Sequence, residues 1–407
     1  MSIVIIGAGP AGITVAETVR RFDRSVPITI VTAEPFPPYS PPAMADHFLT
    51  GRDEPLFWKG LDVADRLELD VRDDVTVRAA RPAAHELELA DGTILGYDRL
   101  VIASGSRLYA PVEGNELTGI HDFKSLRAAR ALLDRVRRGE VRTALVVGAG
   151  FIGTEIALLL ADLGVRVTML ERLGWVMPRM LDPETAGIAA RLMRERGVEI
   201  RLGVEVSAFV GMAAVEGVLL ASGETVTADA YIAATGVKPH LEFLAATGID
   251  AGWGIRVDDH LRTSIRDVWA AGDVVEAADR LTGEPYVHAI FPNAVAQGEV
   301  VGRNLAGLDT TYLGAESMNS LKHLGLPIMA VGAMTGDEEF RWRNGDVLRK
   351  VFVTNGRIVG FRLTGDIGGG GILRSLMLTD RDVGGRLGHI ADPGLGMAEI
   401  VFEALPA

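Results

Sequence analysis

The chain has 407 residues, 48% of them hydrophobic and 23% charged, so its length predicts two or three domains rather than one core. Its formal net charge is −13 with no long run of like charge, which argues against nucleic acid or an anionic membrane surface as a partner. It contains no cysteine, and this excludes disulfides, thiolate metal sites, cysteine-ligated iron–sulfur clusters and a redox-active thiol within these residues.

The first segment of the chain predicts a strand–turn–helix unit. Residues 1–6 are rich in β-branched side chains, as in a buried parallel strand, and a glycine-rich stretch leads from them into helical residues 13–22. A second strand, 28–32, is followed by an acidic residue. Glycines in a tight turn let the backbone approach a pyrophosphate, and the acidic side chain can accept ribose hydroxyls. The predicted ligands of a dinucleotide are Gly7, Gly9, Pro10, Ala11, Gly12 and Glu34.

The same pattern recurs in the middle of the chain. A strand at 143–147, a helix at 154–163 and a second strand at 165–170 surround another glycine-rich loop. Two copies in register predict two bound dinucleotides. A carboxylate after the second strand repels a ribose 2′-phosphate and favours NADH, whereas an adjacent arginine could accommodate the phosphate of NADPH. The predicted ligands here are Gly148, Gly150, Phe151, Ile152, Gly153, Glu171 and Arg172.

Two apolar stretches could be mistaken for export or membrane signals. Residues 1–16 lack the basic region and the cleavage site of a signal peptide. Residues 143–165 contain four glycines together with Glu155 and Asp162, which a strand–turn–helix unit explains better than a transmembrane helix does. The sequence therefore predicts a soluble, cytoplasmic protein without a membrane span.

Further segments carry a resemblance to a known family. With the two glycine loops, they resemble the two-dinucleotide-binding-domain flavoproteins of the pyridine nucleotide oxidoreductase superfamily over residues 1–305. The resemblance implies FAD in the first glycine loop and NADH, with NADPH possible, in the second. The segments are residues 97–106, 234–239, 268–273 and 293–298.

The resemblance also implies the domain organisation. The fold class is α/β, with two Rossmann-like dinucleotide-binding domains and a C-terminal α+β interface or dimerisation-like domain. The FAD-binding domain is discontinuous and comprises residues 1–112 and 240–312. The NAD(P)H-binding domain is 113–239, and the C-terminal domain is 313–407.

Several residues of the FAD half receive a role from the resemblance. Ser104 and Gly105 lie where the chain leaves the FAD domain, and Gly236 lies where it returns. Gly272 and Asp273 belong to the second FAD motif, whose aspartate binds the ribityl chain. All five are predicted to contact the flavin cofactor.

Two catalytic candidates follow from the same likeness. Asn293 and Ala294 open a helix under the flavin pyrimidine ring, where the positive end of the helix dipole would stabilise negative charge on the reduced flavin. Glu155 matches a glutamate that lies near the nicotinamide and the flavin in relatives. The alternative for Glu155 is an ordinary acid near a helix N-terminus, stabilised by the dipole.

The segment after the first βαβ unit bears on the chemistry. Residues 38–51 resemble the corresponding segment of ferredoxin and rubredoxin reductases, NADH oxidases, coenzyme A disulfide reductases and the flavin part of nitrite reductases. Thiol-dependent members carry a cysteine there, whereas this chain has Pro42 and Ala43, so thiol relays are closed to it. The resemblance implies that Pro42 contacts the cofactor. Ferredoxin-reductase-like members carry a lysine near the position of Asp46, which leaves open what positive group, if any, faces the flavin.

The last region predicts a separate, partly β-structured domain. Strands at 348–353 and 358–364 form a hairpin around Asn355 and Gly356, and residues 318–327 resemble the opening of the interface domain in the NADH oxidase and rubredoxin reductase branch. Residues 365–371 include four consecutive glycines. They are either a phosphate-binding or mobile loop, or a flexible turn before a helix; the turn is favoured.

The predicted function is an NAD(P)H:acceptor oxidoreductase. NADH reduces FAD, and the electrons pass without a cysteine relay to a redox protein or a partner subunit. One alternative is an NADH oxidase or small-molecule reductase that uses oxygen or a quinone. Another, of a different class, is an NADH-responsive signalling or binding flavoprotein. The chain could form a homodimer or a hetero-oligomer.

Charged residues add little about the acceptor. No pair among the histidines at 47, 288, 323 and 389 has the spacing of a metal site, so no metal is predicted. A basic cluster could attract an acidic redox protein, although a solvated helix face is its commoner meaning. The cluster consists of Arg130, Arg135, Arg137 and Arg138.

Overall fold

The structure is a computed structural model that describes residues 1–383 and 389–394. The chain divides into two compact units, each assembled from separated segments. The first unit comprises Met1–Tyr109, His121–Arg138 and Gly236–Glu316. The second unit comprises Ala110–Ile120, Gly139–Thr235 and the described residues from Ser317 onward. The three-domain division expected from the sequence stays a prediction beside this two-unit description.

A five-stranded parallel sheet forms the centre of the first unit. Ile3 pairs with Ile28 on one side and with Arg99 on the other, so the N-terminal strand is central. Its four residues are all buried, as expected for a parallel strand covered on both faces. In spatial order the strands are Val268–Ala270, Arg99–Ile102, Ile3–Ile6, Ile28–Val31 and Asp70–Arg72.

Helices and smaller sheets complete the first unit. The helices are Pro10–Phe22, Met44–Thr50, Val63–Arg66, Leu126–Arg137 and Phe291–Leu305. An antiparallel sheet contains Val77–Arg81, Glu86–Leu89 and Ile94–Gly96, and a second, two-stranded one pairs Ser106–Tyr109 with Gly236–Pro239. A small mixed sheet contains Ile255–Arg256, Val275–Ala278 and Pro285–Tyr286. The short strand Ile120–His121 lies where the chain passes from the second unit to the first.

The second unit repeats the βαβ plan and adds two antiparallel sheets. Its main sheet includes the parallel strands Glu199–Leu202, Arg166–Glu171, Thr143–Val147 and Ala230–Ala233. Its helices are Phe151–Asp162, Pro183–Glu195 and Gly370–Leu378. Antiparallel strands Val206–Val210, Gly217–Leu220 and Thr225–Val226 follow the main sheet. The C-terminal sheet contains, in spatial order, Met318–Leu321, Ile328–Gly332, Arg357–Thr364, Val347–Thr354 and Glu338–Asn344.

The predicted hairpin of the C-terminal sheet is present. Its turn residues Asn355 and Gly356 have φ of 51° and 71°, the left-handed values that a tight hairpin turn requires. The fully buried guanidinium of Arg349 donates to the carbonyls of Asp366 and Gly368, at 3.2 and 2.8 Å. The glycine-rich residues 365–371 are thus held by a buried side chain as they enter helix Gly370–Leu378.

Both halves of the molecule have the α/β architecture expected from the sequence. Each contains a parallel sheet whose first two strands are joined by a glycine loop and a helix. Within residues 1–383 and 389–394, no helix has the length and apolar character needed to cross a membrane.

Candidate functional site

The first glycine loop closes by backbone contacts that leave no room for side chains. Gly7 has φ of 103°, and a Cβ on it would lie under 3.0 Å from the carbonyl of Ala103. A Cβ on Gly12 would come equally close to the carbonyl of Gly7. These two positions therefore require glycine, because a turn this tight packs the backbone directly on itself.

Gly9 differs because it faces open space. It is the N-cap of helix Pro10–Phe22, with φ of −68° and ψ of −176°, and no described atom lies within 4 Å of a Cβ placed there. Among the described residues, no side chain caps this helix. A helix N-terminus without a capping side chain presents main-chain N–H groups and the positive end of the dipole. This geometry is compatible with an anionic group such as a pyrophosphate.

The second glycine loop repeats this geometry. Gly148 also has φ of 103°, and its Cβ would lie 2.5 Å from the carbonyl of Ala234. Gly150, the N-cap of helix Phe151–Asp162, has φ of −71° and ψ of −178°, and the nearest described atom to its Cβ would be 3.9 Å away. A Cβ on Gly153 would again clash with the preceding loop carbonyl. Phe151 and Ile152 are half-buried at the helix start.

Glu34 is held by a neighbouring helix of the first unit. The Tyr39 hydroxyl donates to Glu34 Oε2, and the main-chain N–H of Arg127 donates to Oε1 at 2.9 Å. The main-chain N–H of Leu126 donates to the Tyr39 oxygen, also at 2.9 Å. Burial, with the Glu34 carboxylate beside it, raises the pKa of Tyr39 well above its usual value, so this hydroxyl stays a donor. Tyr39 lies in the resembling segment 38–51, but the sequence analysis assigned it no role.

Glu171 is tied to the glycine loop of its own unit instead. Its Oε2 accepts from the main-chain N–H of Ala149, and its Oε1 from that of Leu173, both at 2.9 Å. Met177 N–H donates to the Ala149 carbonyl at 2.7 Å. Each carboxylate oxygen has further acceptor capacity, so a ribose hydroxyl could still be accepted. Arg172 is exposed.

Asp273 lies in a polar cluster of the first unit that sequence reasoning did not find. Ser106 Oγ donates to Asp273 Oδ2 at 3.0 Å, and the ammonium of Lys124 pairs with the same oxygen. The side chains of Lys124 and Asp273 are only 15% and 18% exposed. Both of these donors contact Oδ2, and a carboxylate oxygen such as Oδ1 can accept hydrogen bonds of its own. Lys124 belongs to no motif in the sequence.

Main-chain hydrogen bonds of His240 join the two segments that are predicted to leave and re-enter the FAD half. The main-chain N–H of His240 donates to the Gly105 carbonyl, and Ser104 Oγ donates to the main-chain carbonyl of His240, both at 3.0 Å. Gly236 begins the strand that pairs antiparallel with Ser106–Tyr109. Burial lowers the pKa of His240. The segments predicted to leave and re-enter the FAD half therefore lie side by side in the first unit.

Helix Phe291–Leu305 brings its predicted residues to the same unit. Asn293 is buried, its Nδ2 donating to the Glu316 carbonyl at 2.9 Å and its Oδ1 accepting from the Glu316 N–H at 3.1 Å. The Asn293 amide is thus engaged by main chain, and a helix dipole or main-chain N–H is what this helix start can offer a ligand. Gly272 N–H donates to Gln297 Oε1 at 2.7 Å, next to buried Ala294.

The residues that stand in place of a cysteine or a lysine lie near a short helix. Pro42 is exposed and Ala43 is buried at the turn Pro41–Ala43, which leads into helix Met44–Thr50. Asp46 is half-buried in the first turn of that helix. In the second unit, Glu155 is half-buried on helix Phe151–Asp162.

The other charged candidates have protein partners. Arg135 contacts His121 Nε2 at 2.8 Å, and Arg137 contacts Asp134 at 3.2 Å. Arg130 lies over the ring of Phe36, 4.5 Å from its centroid. His288 pairs with Asp279 at 2.9 Å, and burial lowers the His288 pKa. The basic cluster is therefore largely engaged in local contacts, which suits a helix surface.

Each half of the predicted site is assembled within one unit. The first unit contains Gly7, Gly9, Pro10, Ala11, Gly12, Glu34, Pro42, Ser104, Gly105, Gly236, Gly272, Asp273, Asn293 and Ala294. The second unit contains Gly148, Gly150, Phe151, Ile152, Gly153, Glu155, Glu171 and Arg172. The contacts of Tyr39, Ser106 and Lys124 with this set are known only from the structure.

Comparison with known proteins gives a consistent set of relatives. The family model described as pyridine nucleotide-disulphide oxidoreductase matches residues 1–298. An NADH oxidase of Methanocaldococcus jannaschii is 29% identical over 394 residues, covering 90% of this chain and 88% of the relative. The NADH-dependent phenylglyoxylate dehydrogenase subunit epsilon of Aromatoleum evansii is also 29% identical, with coverage of 93% and 92%.

Two further comparisons bear on the redox class and the fold. Rhodocoxin reductase of Rhodococcus erythropolis is 34% identical over 331 residues, covering 77% of this chain and 74% of the relative. A ferredoxin reductase structure from Rhodopseudomonas palustris has a TM-score of 0.83 at 24% identity, covering 94% of this chain and 95% of that one. The latter similarity confirms the predicted fold class.

Proposed function

The chain belongs to the pyridine nucleotide-disulphide oxidoreductase family, and we propose that it passes electrons from NADH to a redox protein or a partner subunit. It is an NAD(P)H oxidoreductase, and its cofactors are FAD and NADH. When bound, NADH supplies a hydride, and FAD accepts it and can release the electrons to a separate acceptor. The disulphide of the family name has no counterpart in this sequence, which contains no cysteine.

We assign FAD to the first unit on the fit of its residues. Open Gly9 at a helix start suits the pyrophosphate, and Glu34 suits the adenosine ribose. Asp273, oriented by Ser106 and Lys124, would accept a hydroxyl of the ribityl chain. Asn293 would act as a positioning residue, because its amide ties the helix to the Glu316 backbone.

We assign NADH to the second unit on the same grounds. Gly150 leaves the matching space at its helix start, and Glu171 is held against the glycine loop as a carboxylate acceptor. A 2′-phosphate would meet that carboxylate, so NADH is preferred over NADPH even with Arg172 beside it. Glu155, on the helix that follows the loop, stays our candidate for contact with the nicotinamide.

A protein acceptor is supported by the missing thiol together with the relatives. Without cysteine, reducing equivalents cannot be stored on a disulfide and must leave the flavin directly. One relative is named as the reductase of rhodocoxin, and another as the epsilon subunit of an NADH-dependent phenylglyoxylate dehydrogenase. We propose one of these two arrangements in the cytoplasm. The oligomeric state stays a prediction.

An oxidase is the second candidate. The archaeal NADH oxidase resembles this chain over nearly its full length, and oxygen needs no docking partner. The two candidates differ in how the reduced protein responds to oxygen. A reductase reacts slowly with oxygen and waits for its acceptor, whereas an oxidase turns over with oxygen alone.

Anaerobic stopped-flow on the FAD-loaded protein tests the proposal. We expect NADH to bleach the flavin absorbance at least tenfold faster than NADPH does at equal concentration. An oxygen pulse should then restore the absorbance slowly, while added ferredoxin or rubredoxin should accelerate reduction of cytochrome c. Reoxidation by oxygen as fast as reduction by NADH would replace the reductase by the oxidase. Absence of bound flavin, or of bleaching by either nucleotide, would contradict both.

A further inference from the structure

Six charged side chains of the second unit join the start of helix Pro183–Glu195 to the C-terminal sheet. At their centre the Lys350 ammonium lies 2.9 Å from Asp182 Oδ1, 3.0 Å from Glu184 Oε2 and 3.3 Å from Glu339 Oε1. Lys350 is 8% exposed and Asp182 is 11% exposed, so water screens their attraction only weakly. We call this group the charge cluster; its members are Asp182, Glu184, Glu339, Arg341, Arg343 and Lys350.

Asp182 also caps the N-terminus of helix Pro183–Glu195. Its Oδ1 also accepts from the main-chain N–H groups of Glu184 and Thr185, and its Oδ2 accepts from the Thr185 hydroxyl at 2.6 Å. Burial disfavours the charged carboxyl, but hydrogen bonds from Thr185 and Lys350 lower the pKa of Asp182 below its usual value. The same carboxylate therefore caps the helix and binds the lysine.

The segment that ends at Asp182 is tied to the second glycine loop. We call residues 172–181 the nucleotide-site loop. Met177, buried and with φ of 50°, donates to the Ala149 carbonyl at 2.7 Å. The Trp175 indole donates to the Leu181 carbonyl at 3.0 Å. A non-glycine residue in the left-handed region persists only where its surroundings hold it, so the end of this loop must be fixed firmly.

We propose that Lys350 is a positioning residue for the nicotinamide cofactor. By holding Asp182, it fixes the end of the nucleotide-site loop and keeps Met177 bonded to Ala149. The glycine loop then keeps the shape that receives the adenosine half of NADH. This inference rests on the proposed function, because it takes the second glycine loop to be the NADH site.

The contacts single out Lys350 among the three cations of the charge cluster. Arg341 and Arg343 reach Glu184 Oε1, at 2.6 and 2.8 Å, and both are more than 40% exposed. Among the described ion pairs, Asp182 receives only the lysine. Loss of an arginine should therefore weaken the cluster without releasing the nucleotide-site loop. Arg341→Gln is the matched control.

Binding of ADP-ribose to the oxidised, FAD-loaded protein measures this effect directly. ADP-ribose carries the adenosine half of NADH and cannot reduce the flavin. We expect Lys350→Met to raise the calorimetric Kd of ADP-ribose at least tenfold. The KM for NADH should rise by a similar factor, with kcat within twofold of the parent. Lys350→Arg should restore most of the affinity, and Arg341→Gln should stay within twofold of the parent.

A second variant covers the case in which Lys350→Met does not fold. Asp182→Asn keeps a capping side chain but gives up the ion pair, and we expect its Kd for ADP-ribose to rise at least threefold. Parent-like affinity in either folded variant would overturn the inference and leave the proposed function standing. An equal loss in Arg341→Gln would also overturn it, because general support of the helix would then suffice. Failure of the parent protein itself to bind ADP-ribose would refute the NADH site and this inference together.

Discussion

Lys124 and Ser106 both donate to one oxygen of Asp273, and this arrangement is decided by contacts over long distances in the chain. Lys124 and Asp273 are separated by 149 residues, and Ser106 and Asp273 by 167. The resemblance of residues 268–273 to the second FAD motif implied a role for Asp273. Lys124 belongs to no motif, and Ser106 ends the resembling segment 97–106 without an assigned role, so neither contact could be predicted before the fold brought these residues together.

Replacing Lys124 tests the importance of this pair for FAD binding. Lys124→Met removes the ammonium and leaves a mostly buried carboxylate with one neutral donor, which typically costs about 1–3 kcal/mol. We expect the Kd of FAD for the flavin-free protein to rise roughly tenfold, since about 1.4 kcal/mol corresponds to that factor. Titration followed by flavin fluorescence measures it.

The control for that titration is Arg107→Gln, which breaks an ion pair with a strongly exposed Glu242. Exposed pairs contribute little to stability, so FAD affinity should stay at the parent value. Lys124→Arg should keep at least part of the affinity, because it retains the positive charge. Parent-like affinity in Lys124→Met would show that Asp273 does not depend on the lysine.

At the scale of elements, the first unit depends on two helices that touch through glycines. Helix Pro10–Phe22, which starts at the glycine loop, packs against helix Phe291–Leu305. A Cβ on Gly298 would lie 2.6 Å from the Ala11 carbonyl, and one on Gly302 would lie 2.5 Å from Thr18 Cβ. Because the two helices pack this closely, their N-termini, both predicted to face the cofactor, are held rigidly relative to each other.

Adding one methyl group at this contact should destabilise the first unit. Gly302→Ala forces the helices apart, and overpacking of this kind typically costs about 1–3 kcal/mol. Gly187→Ala is the matched change, because Gly187 is exposed on helix Pro183–Glu195 and no described atom lies within 4 Å of its Cβ. That change should stabilise by about 0.5–1 kcal/mol through helix propensity. Urea unfolding should show opposite signs, and equal signs would contradict the packing argument.

At the scale of the whole molecule, the two glycine loops have the same backbone geometry. The backbone angles at Gly9 and Gly150 agree within a few degrees, and Gly7 and Gly148 share φ of 103°. The surroundings of the two acidic residues differ, however. Glu34 is held by the start of helix Leu126–Arg137, whereas Glu171 is held by its own glycine loop. The same loop geometry thus occurs twice, with different partners for the acidic residue.

Matched substitutions should separate the two cofactors. Among the described residues, an alanine Cβ at Gly9 would meet no atom within 4 Å, and one at Gly150 would lie 3.9 Å from the Ala234 carbonyl oxygen. Both variants should therefore fold, at a cost of about 1 kcal/mol or less. Each added methyl group would occupy the space of a pyrophosphate. We expect Gly9→Ala to bind FAD at least tenfold more weakly than the parent protein. Gly150→Ala should retain FAD and bind ADP-ribose at least tenfold more weakly.

Flavin absorbance after gel filtration and calorimetry with ADP-ribose provide the two measurements. Gly12→Ala is the comparison, because its Cβ would clash with the Gly7 carbonyl and the loop itself should be disturbed. If Gly9→Ala lost ADP-ribose binding and kept FAD, the assignment of FAD to the first glycine loop and NADH to the second would be reversed.

Much of the candidate site followed from local pattern. Both glycine loops were predicted from the glycine spacing, the flanking strands and the acidic residue after each second strand. This was possible because a turn with no room for Cβ atoms requires glycine at those positions. The role of Asn293 was predicted less completely. Its place near a helix start was expected, but its amide is engaged by Glu316, 23 residues away.

The sequence by itself determined two tight glycine loops, the α/β class and the exclusion of thiol chemistry, because each depends on residue type and short-range spacing. The tertiary structure alone decided that Tyr39 holds Glu34, that Lys124 pairs with Asp273 and that Lys350 binds Asp182. The last two pairs join residues 149 and 168 positions apart, and Tyr39 reaches Leu126, 87 positions away. Charges and hydroxyls of this kind acquire partners only when folding removes them from water, and no local pattern records which partner they will meet.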